Sequence, residues 1–347
     1  MTRRAALLTF GMLGSAALLL GMLLLPVPYV VNGPGPTLNT LGEYDGEPLI
    51  SISGAETYDS TGELRLTTVS STGGPGYPAT LVGVVAGWLS GSSQVLPVEY
   101  VYPQGATQEQ IAEQNQAQMT TSQENATVAA LEELGYEVPT TMTIAGTVEG
   151  GPAEDAVRED DVLVSVDGVA MTSYAQLIDL LDDTDAGTTL TLGLERDGQP
   201  VDVPVTTTAK DGGGSQLGVY IDPAFDLPVD VSIRIEDIGG SSAGTMFALG
   251  IIDRLTPEDE ANGVHIAGTG TMDLNGDVGP IGGIRQKMAG SVRDGASWFL
   301  APADNCDEVV GNIPDGLSVV KIDSLHGARE AVEAIGSGDT ADLPTCG

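Results

Sequence analysis

The hydrophobic pattern changes character several times along the chain. From Ala5 to Val31 no charged residue interrupts a run of Leu, Ala, Gly, Met and Val. About 20 apolar residues suffice for a helix to cross a bilayer, so the stretch predicts a membrane-spanning segment. Arg3 and Arg4 precede it and the next basic residue is Arg65, a bias that leaves the N-terminus in the cytoplasm and the rest outside the cytoplasmic membrane. The other reading is a cleaved signal peptide. The run is long for one, and no A-x-A-like site precedes VNGPGP.

Past a region rich in Gly, Pro, Ser and Thr, GELRLTTVS (62–70) alternates Leu64, Leu66 and Thr68 with the period of a strand. Residues 105–135 turn rich in Gln, Ala and Glu, and SQENATVAALEELG predicts a helix with Ser122 at its N-cap and Gly135 as its stop. Over 136–210, TMTIAGTV and DVLVSVDG read as strands and SYAQLIDLLDD as an amphipathic helix starting at Ser173. TTLTLGLERDGQPVDVPVTT reads as a hairpin turning at Arg196-Asp197-Gly198, and KDGGGS (210–215) as a linker.

From 216 onwards strands and helices alternate. PVDVSIRIEDI places apolar residues at 229, 231, 233 and 235, and a helix from Ser242 to Leu255 stops before Pro257. GVHIAGTGTMDL predicts a strand pair and GIRQKMAGSVRDG a helix ended by Gly295. SWFLAP and LSVVKID read as strands, NCDEVVGNI and SLHGAREAVEAI as helices. The fold class is α/β of mixed order.

Charge narrows the list of partners. The 347 residues hold 49 acidic and 13 basic side chains, a net charge of -36, which repels phosphate backbones and anionic lipid; nucleic acid is excluded as a partner. The two cysteines, Cys306 and Cys346, both lie in the last part of the chain. Outside the cytoplasm an even pair suggests one disulfide, with two free thiols as the alternative. Cysteines and histidines show no metal-ligand spacing and no G-x-x-x-x-G-K-[ST] loop occurs, so neither a metal nor another cofactor is expected.

The candidate chemistry sits in IEDIGGSSAGTMFALGIID (235–253). Ser241 falls where an N-cap belongs and Ser242 in the first helical turn, where backbone N–H groups lack partners and the dipole is positive. Gly239, Gly240, Ala243 and Gly244 keep the surroundings small enough for a substrate backbone. A nucleophilic serine needs a base, and the candidates are His265, His326, Lys210, Lys287 and Lys321. Lys287 is the helix-borne lysine among apolar neighbours, where desolvation lowers its pKa toward the range a base needs.

Two stretches resemble known families. Gly151-Pro152-Ala153, Asp161-Val162-Leu163, Val166-Asp167-Gly168 and Arg196-Asp197-Gly198, in their order of strand, turn, strand, helix and hairpin, resemble a PDZ domain of the kind attached to bacterial proteases. One departure is VREDD, where such domains carry a glycine before the aspartate. The resemblance implies peptide capture at a sheet edge, with Leu134, Gly135 and Tyr136 as carboxylate loop; a plain helix C-cap at Gly135 is the alternative.

GGSSAG followed by GTGTMDLNGDVGPIGGIRQK resembles the proteolytic domain of Lon-type Ser/Lys peptidases, and the whole layout that of membrane-anchored, PDZ-containing Lon-like proteases of the YlbL type. That resemblance implies Ser242 as nucleophile, Lys287 as general base and Thr269 as the residue that holds the lysine, leaving Ser241 as the cap. Gly239 and Ser241 stand where Lon has an acidic residue and a proline. It further implies an anchor over 1–31, a region 32–124 packing with the protease, a PDZ domain over 125–210 inserted in the fold, and a proteolytic domain over 211–347. Protein or peptide substrates, ATP-independent cleavage, a bilayer contact through the N-terminal helix and a homo-oligomer, a hexamer among its possible rings, complete the expectation. Two rivals compete. Gly240-Ser241-Ser242-Ala243-Gly244 also fits the G-x-S-x-G elbow of α/β-hydrolases, with His326 and Asp304 or Asp307 downstream. A catalytically silent PDZ scaffold is the other.

Overall fold

The computed structural model describes residues 3–210, 213–235 and 238–347, and their side chains except those of 3–9, 19 and 24. Helix α1 (Arg3–Leu24) takes up most of the uncharged N-terminal run. Among the described residues no helix is long and apolar enough to cross a membrane, so the expected spanning segment finds no support there.

The chain continues through β1 (Tyr29–Asn39), β2 (Ile50–Ser53), β3 (Glu63–Thr72), α2 (Leu81–Leu89), β4 (Gln94–Pro97) and α3 (Gln108–Glu133). A second unit follows, built from β5 (Thr140–Thr147), β6 (Val162–Val166), α4 (Tyr174–Asp182), β7 (Thr189–Arg196), β8 (Gln199–Thr206) and β9 (Val219–Phe225). The last part contains β10 (Asp230–Ile233), α5 (Gly244–Leu255), β11 (His265–Gly268), α6 (Ile284–Arg293), β12 (Trp298–Pro302), β13 (Ser318–Ile322) and α7 (Leu325–Ser337).

The main sheet has the order β13-β12-β11-β3-β1-β4, parallel from β13 to β3 and antiparallel beyond. Its central pairing, β3 with β11, sets Leu64 opposite Ile266 and joins the two ends of the sequence. In the same way β2 pairs with β10, Ile50 opposite Ile233. Leu64, Leu66, Met119 and Ala130 from the first part share one core with Met246, Phe247, Ile266 and Leu300 from the last. The second unit is an antiparallel sheet of order β8-β7-β6-β5-β9 with its own core, including Met142, Leu163, Leu177 and Leu192.

The packing moves the expected boundaries at 125 and 210. Ala126, Ala129 and Ala130 of α3 are buried against α5, and β9 pairs with β5 along Thr140–Thr147. KDGGGS therefore does not separate domains. Lys210 N–H donates to Gly214 O and Thr208–Ala209 pairs with Ser215–Gln216; residues 211–212 lie outside the described residues. The same holds for 236–237, at the end of the expected strand PVDVSIRIEDI.

Two further expectations change, and a third, the disulfide, holds. Helix α3 begins earlier than Ser122: Thr107 caps it, its hydroxyl accepting from Gln110 N–H while the Gln110 side chain accepts from Thr107 N–H. Its first turns carry little apolar beyond Ile111 and Ala112, so no apolar period announces them. GVHIAGTGTMDL does not pair with itself, because β11 lies between β3 and β12 while Thr271–Met272 pairs with Val278–Gly279. Cys306 and Cys346 form a disulfide that ties the tail to the body.

The turn at VREDD is accommodated without the glycine. Asp160 itself takes the left-handed conformation, φ 67°, that a glycine adopts without strain. Next to it, buried Asp161 receives Arg196 Nε at 2.7 Å and Nη2 at 2.6 Å, a two-pronged pair that closes the hairpin over the turn.

Candidate active site

The loop before α5 carries the serine pair. Helix α5 starts at Gly244, two residues later than the apolar pattern predicts, and Ala243 occupies its N-cap without a side-chain bond. Ser241 is not the cap. Its carbonyl accepts from the hydroxyl of Ser122, midway along α3, at 3.0 Å. Nor do all the small residues make room for substrate. A Cβ on Gly239 would stand 2.6 Å from Asn115 Cβ and one on Gly244 2.8 Å from Met272 Cβ, so both serve close packing within the protein. Gly240 alone of the three faces open space, and its φ of 95° sharpens the turn; its N–H donates to Asn115 O at 3.0 Å.

Lys287 approaches from α6, in the first turn after Gly283, an N-cap in the left-handed conformation. Ile284 and Met288 beside it are buried to the last atom. Lys287 itself is 2% exposed, and burial among these groups pulls its amine down from 10.5 to about 7. Nζ lies 2.6 Å from Ser242 Oγ and 2.8 Å from Thr269 Oγ1.

Thr269, fully buried at the end of β11, fixes the direction of that contact. Its hydroxyl hydrogen is committed to Ser242 O at 2.9 Å, so toward Lys287 it can only accept. The amine therefore donates to Thr269, and a neutral Nζ keeps its lone pair for the Ser242 hydroxyl. Gly270 N–H donates to Ser242 O as well, holding the serine loop on the strand end. The groove in front of the dyad has a volume of about 490 Å³ and is lined by Leu66, Thr67–Ser71 of β3, Tyr102, Met119 and Gly239–Gly240.

The remaining candidate bases are elsewhere. His326 is exposed on α7, where Nδ1 meets Glu133 Oε1 at 2.9 Å and that carboxylate raises its pKa; its ring bonds to no serine among the described residues. His265 lies beside Glu63, Lys210 pairs with Asp182, and the Lys321 N–H binds the tail at Pro344 O. Asp304 and Asp307 belong to the short helical turns next to Cys306. The elbow reading thus loses its histidine. Among the described residues no group of His, Cys, Asp and Glu is arranged to hold a metal.

Residues 233–332 match the family described as the Lon protease (S16) C-terminal proteolytic domain. Residues 143–196 match the PDZ domain family. The chain combines a Lon-type proteolytic domain with a PDZ domain. Relatives include Lon protease 1 of Bacillus subtilis, 30% identical over 32% of this chain, and Lon protease 2 of Herpetosiphon aurantiacus, 34% identical over 28%. The chain covers 15% and 12% of their respective lengths. The Lon protease of Helicobacter pylori is 28% identical over 37% of this chain and 16% of its own. Together with the proteolytic-domain match they indicate a serine peptidase. Among solved structures, the PDZ domain of an SdrC-like protein of Listeria monocytogenes is 20% identical over 23% of this chain and 85% of that chain, with a TM-score of 0.22.

The expected carboxylate loop is a helix cap. Gly135, φ 80°, donates to Glu132 O and Tyr136 N–H to Leu131 O, the paired bonds that close the end of α3; Leu134 N–H donates to Ala130 O. With their N–H groups spent on α3, Leu134, Gly135 and Tyr136 cannot grip a carboxylate. One terminal strand of the PDZ sheet, opposite β8, is β9, entered through buried Leu217 and Gly218 with φ 70°. The signal for it was QLGVY, a tight turn into alternating residues, hidden behind the supposed linker.

Proposed function

We propose that the chain is a membrane-anchored, ATP-independent serine endopeptidase using a Ser242/Lys287 dyad. The observation that carries this reading is the 2.6 Å contact between Ser242 Oγ and a lysine whose burial brings it to about 7. Neutral Lys287, oriented by Thr269, takes the proton of Ser242 as Oγ attacks a peptide carbonyl. Backbone N–H groups of Ser242 and Ala243, which line the groove just ahead of α5, stabilise the oxyanion. The lysine then protonates the leaving amine, and water, activated by the same amine, releases the acyl group.

An extended substrate fits the groove because β11 pairs only with Glu63–Leu66 of β3; on that side Thr67–Ser71 line the groove. A peptide tail added along β9 would supply recognition by the PDZ unit. The anchor rests on the uncharged 5–31 stretch and the basic bias before it, and places the catalytic part outside the cytoplasmic membrane. Assembly into a homo-oligomeric ring rests on the family resemblance.

A serine-directed phosphonate and an unfolded protein substrate test the chemistry. Wild type and His326→Ala are expected to label and to cleave, Ser242→Ala and Lys287→Ala to do neither, and ATP to change nothing. Loss of turnover in His326→Ala with retention in Lys287→Ala would overturn the dyad.

A further inference from the structure

One stretch escapes the acidity of the chain. Between Arg65 and Glu99 there is no charged residue, in a protein of net charge -36. Within it α2 reads LVGVVAGWL, apolar on every face. A helix of that kind belongs in a core or in lipid. The protein covers one side only: Val84 and Gly87 are buried, and a Cβ on Gly87 would meet Val31 and Val95 of β1 and β4 at 2.8 and 2.9 Å. Away from that contact, Val85 is 42%, Trp88 62% and Leu89 83% exposed. Tyr77 and Tyr100 stand exposed on either side in sequence.

The chain itself indicates what meets this face. Helix α2 packs against α1 and begins where α1 stops: Pro26–Val27 pairs with Ala79–Thr80, and Leu81 N–H donates to Leu25 O at 3.4 Å. Helix α1 carries exposed Phe10, Leu13, Leu18 and Leu20 along its length. At 1.5 Å per residue α2 is ~14 Å long, too short for a hydrocarbon core of ~30 Å, so it can lie along a bilayer and not cross it. Lack of acidic side chains removes the repulsion that the rest of the surface meets at a membrane. Trp and Tyr, apolar with one polar end, gather at the lipid–water boundary.

We propose that α2, with Tyr77, Trp88 and Tyr100, lies in the lipid–water interface as a second membrane contact beside α1. The inference rests on the reading of α1 as an anchor. It also brings the catalytic groove to the membrane. Ser71, in the groove, pairs with Asn32 of β1, and the extended run from Val27 to Asn32 spans ~17 Å. Substrate segments close to the bilayer are the ones this groove reaches.

The test uses the full chain in vesicles of phosphatidylcholine brominated on its acyl chains near the headgroup. The chain has two tryptophans, Trp88 and Trp298 of β12 in the protein body. Wild type is expected to lose the Trp88 share of its emission in brominated vesicles, and Trp88→Phe to lose none. Phe10→Trp in the Trp88→Phe background reports on α1 separately. Quenching of that reporter with none in wild type would overturn the α2 contact and leave the anchor standing. No quenching of either would remove both. Trp88 shielded from aqueous iodide yet untouched by brominated lipid would mean that a second copy covers it, which also overturns the proposal. Phosphonate labelling of every variant confirms an intact site.

Discussion

Lys287 shows what one buried amine costs and supplies. Its folded-state pKa of about 7 lies below the usual 10.5, so between those values the unfolded chain binds more protons than the folded one and stability rises with pH. At and below about 7 the full penalty applies, on the order of a few kcal/mol. Lys287→Met, similar in volume and without charge, is expected to raise the melting temperature most near pH 6, with the gain fading toward pH 10, and to abolish turnover. Calorimetry across that range checks it; a less stable variant at pH 6 would show that the Thr269 and Ser242 contacts outweigh desolvation. The same titration sets activity, which should climb with pH through about 7 as the amine becomes neutral. Lys287 is legible in the sequence as a scarce, helix-borne lysine among apolar neighbours, whereas Thr269 and the choice of Ser242 over Ser241 come from the resemblance to the Lon-type domain. The role of Ser241 is not legible, since a serine before a small-residue turn looks like a cap until Ser122 is seen to hold its carbonyl from another helix.

Elements were read where their period was strong and misread where tertiary contacts decided. Ser173 caps α4 as its position suggests, because cap and amphipathic face coincide in sequence. The start of α3 is hidden in the sequence, since it holds few apolar residues and its capping box at Thr107 and Gln110 stands apart from the apolar half. The two caps make a direct comparison. Thr107→Ala is expected to lower stability by ~1 kcal/mol, whereas Ser241→Ala, whose side chain makes no cap, should stay within ~0.5 kcal/mol. Urea denaturation of both decides; a larger loss for Ser241→Ala would restore it as a capping residue. Helix α3 also explains why the PDZ boundary was set too early: Gly135 ends a helix of the proteolytic core, and the linker-like KDGGGS hides the strand that completes the PDZ sheet.

At the scale of the molecule, the disulfide closes a span of 40 residues at the far edge of the main sheet, with Lys321 N–H to Pro344 O pinning the same tail. Chain-entropy reasoning gives such a closure up to ~4 kcal/mol. Cys346→Ser should therefore unfold at lower denaturant by ~2–4 kcal/mol while phosphonate still labels Ser242. Loss of labelling under native conditions would mean that the tail supports the dyad itself.

The insertion of one sheet within another has a consequence for how the chain becomes a protein at all. The central pairing of the main sheet joins Leu64 to Ile266, contacts whose separation in sequence makes loop closure slow and entropically expensive. Yet the first and last strands of the PDZ unit are partners, Thr140 opposite Phe225, so its two ends emerge side by side. Once folded, the insert counts for loop closure as a short bridge and not as its full length. Synthesis delivers it before β11, so the PDZ unit can form first and hand the proteolytic sheet two ends already close together.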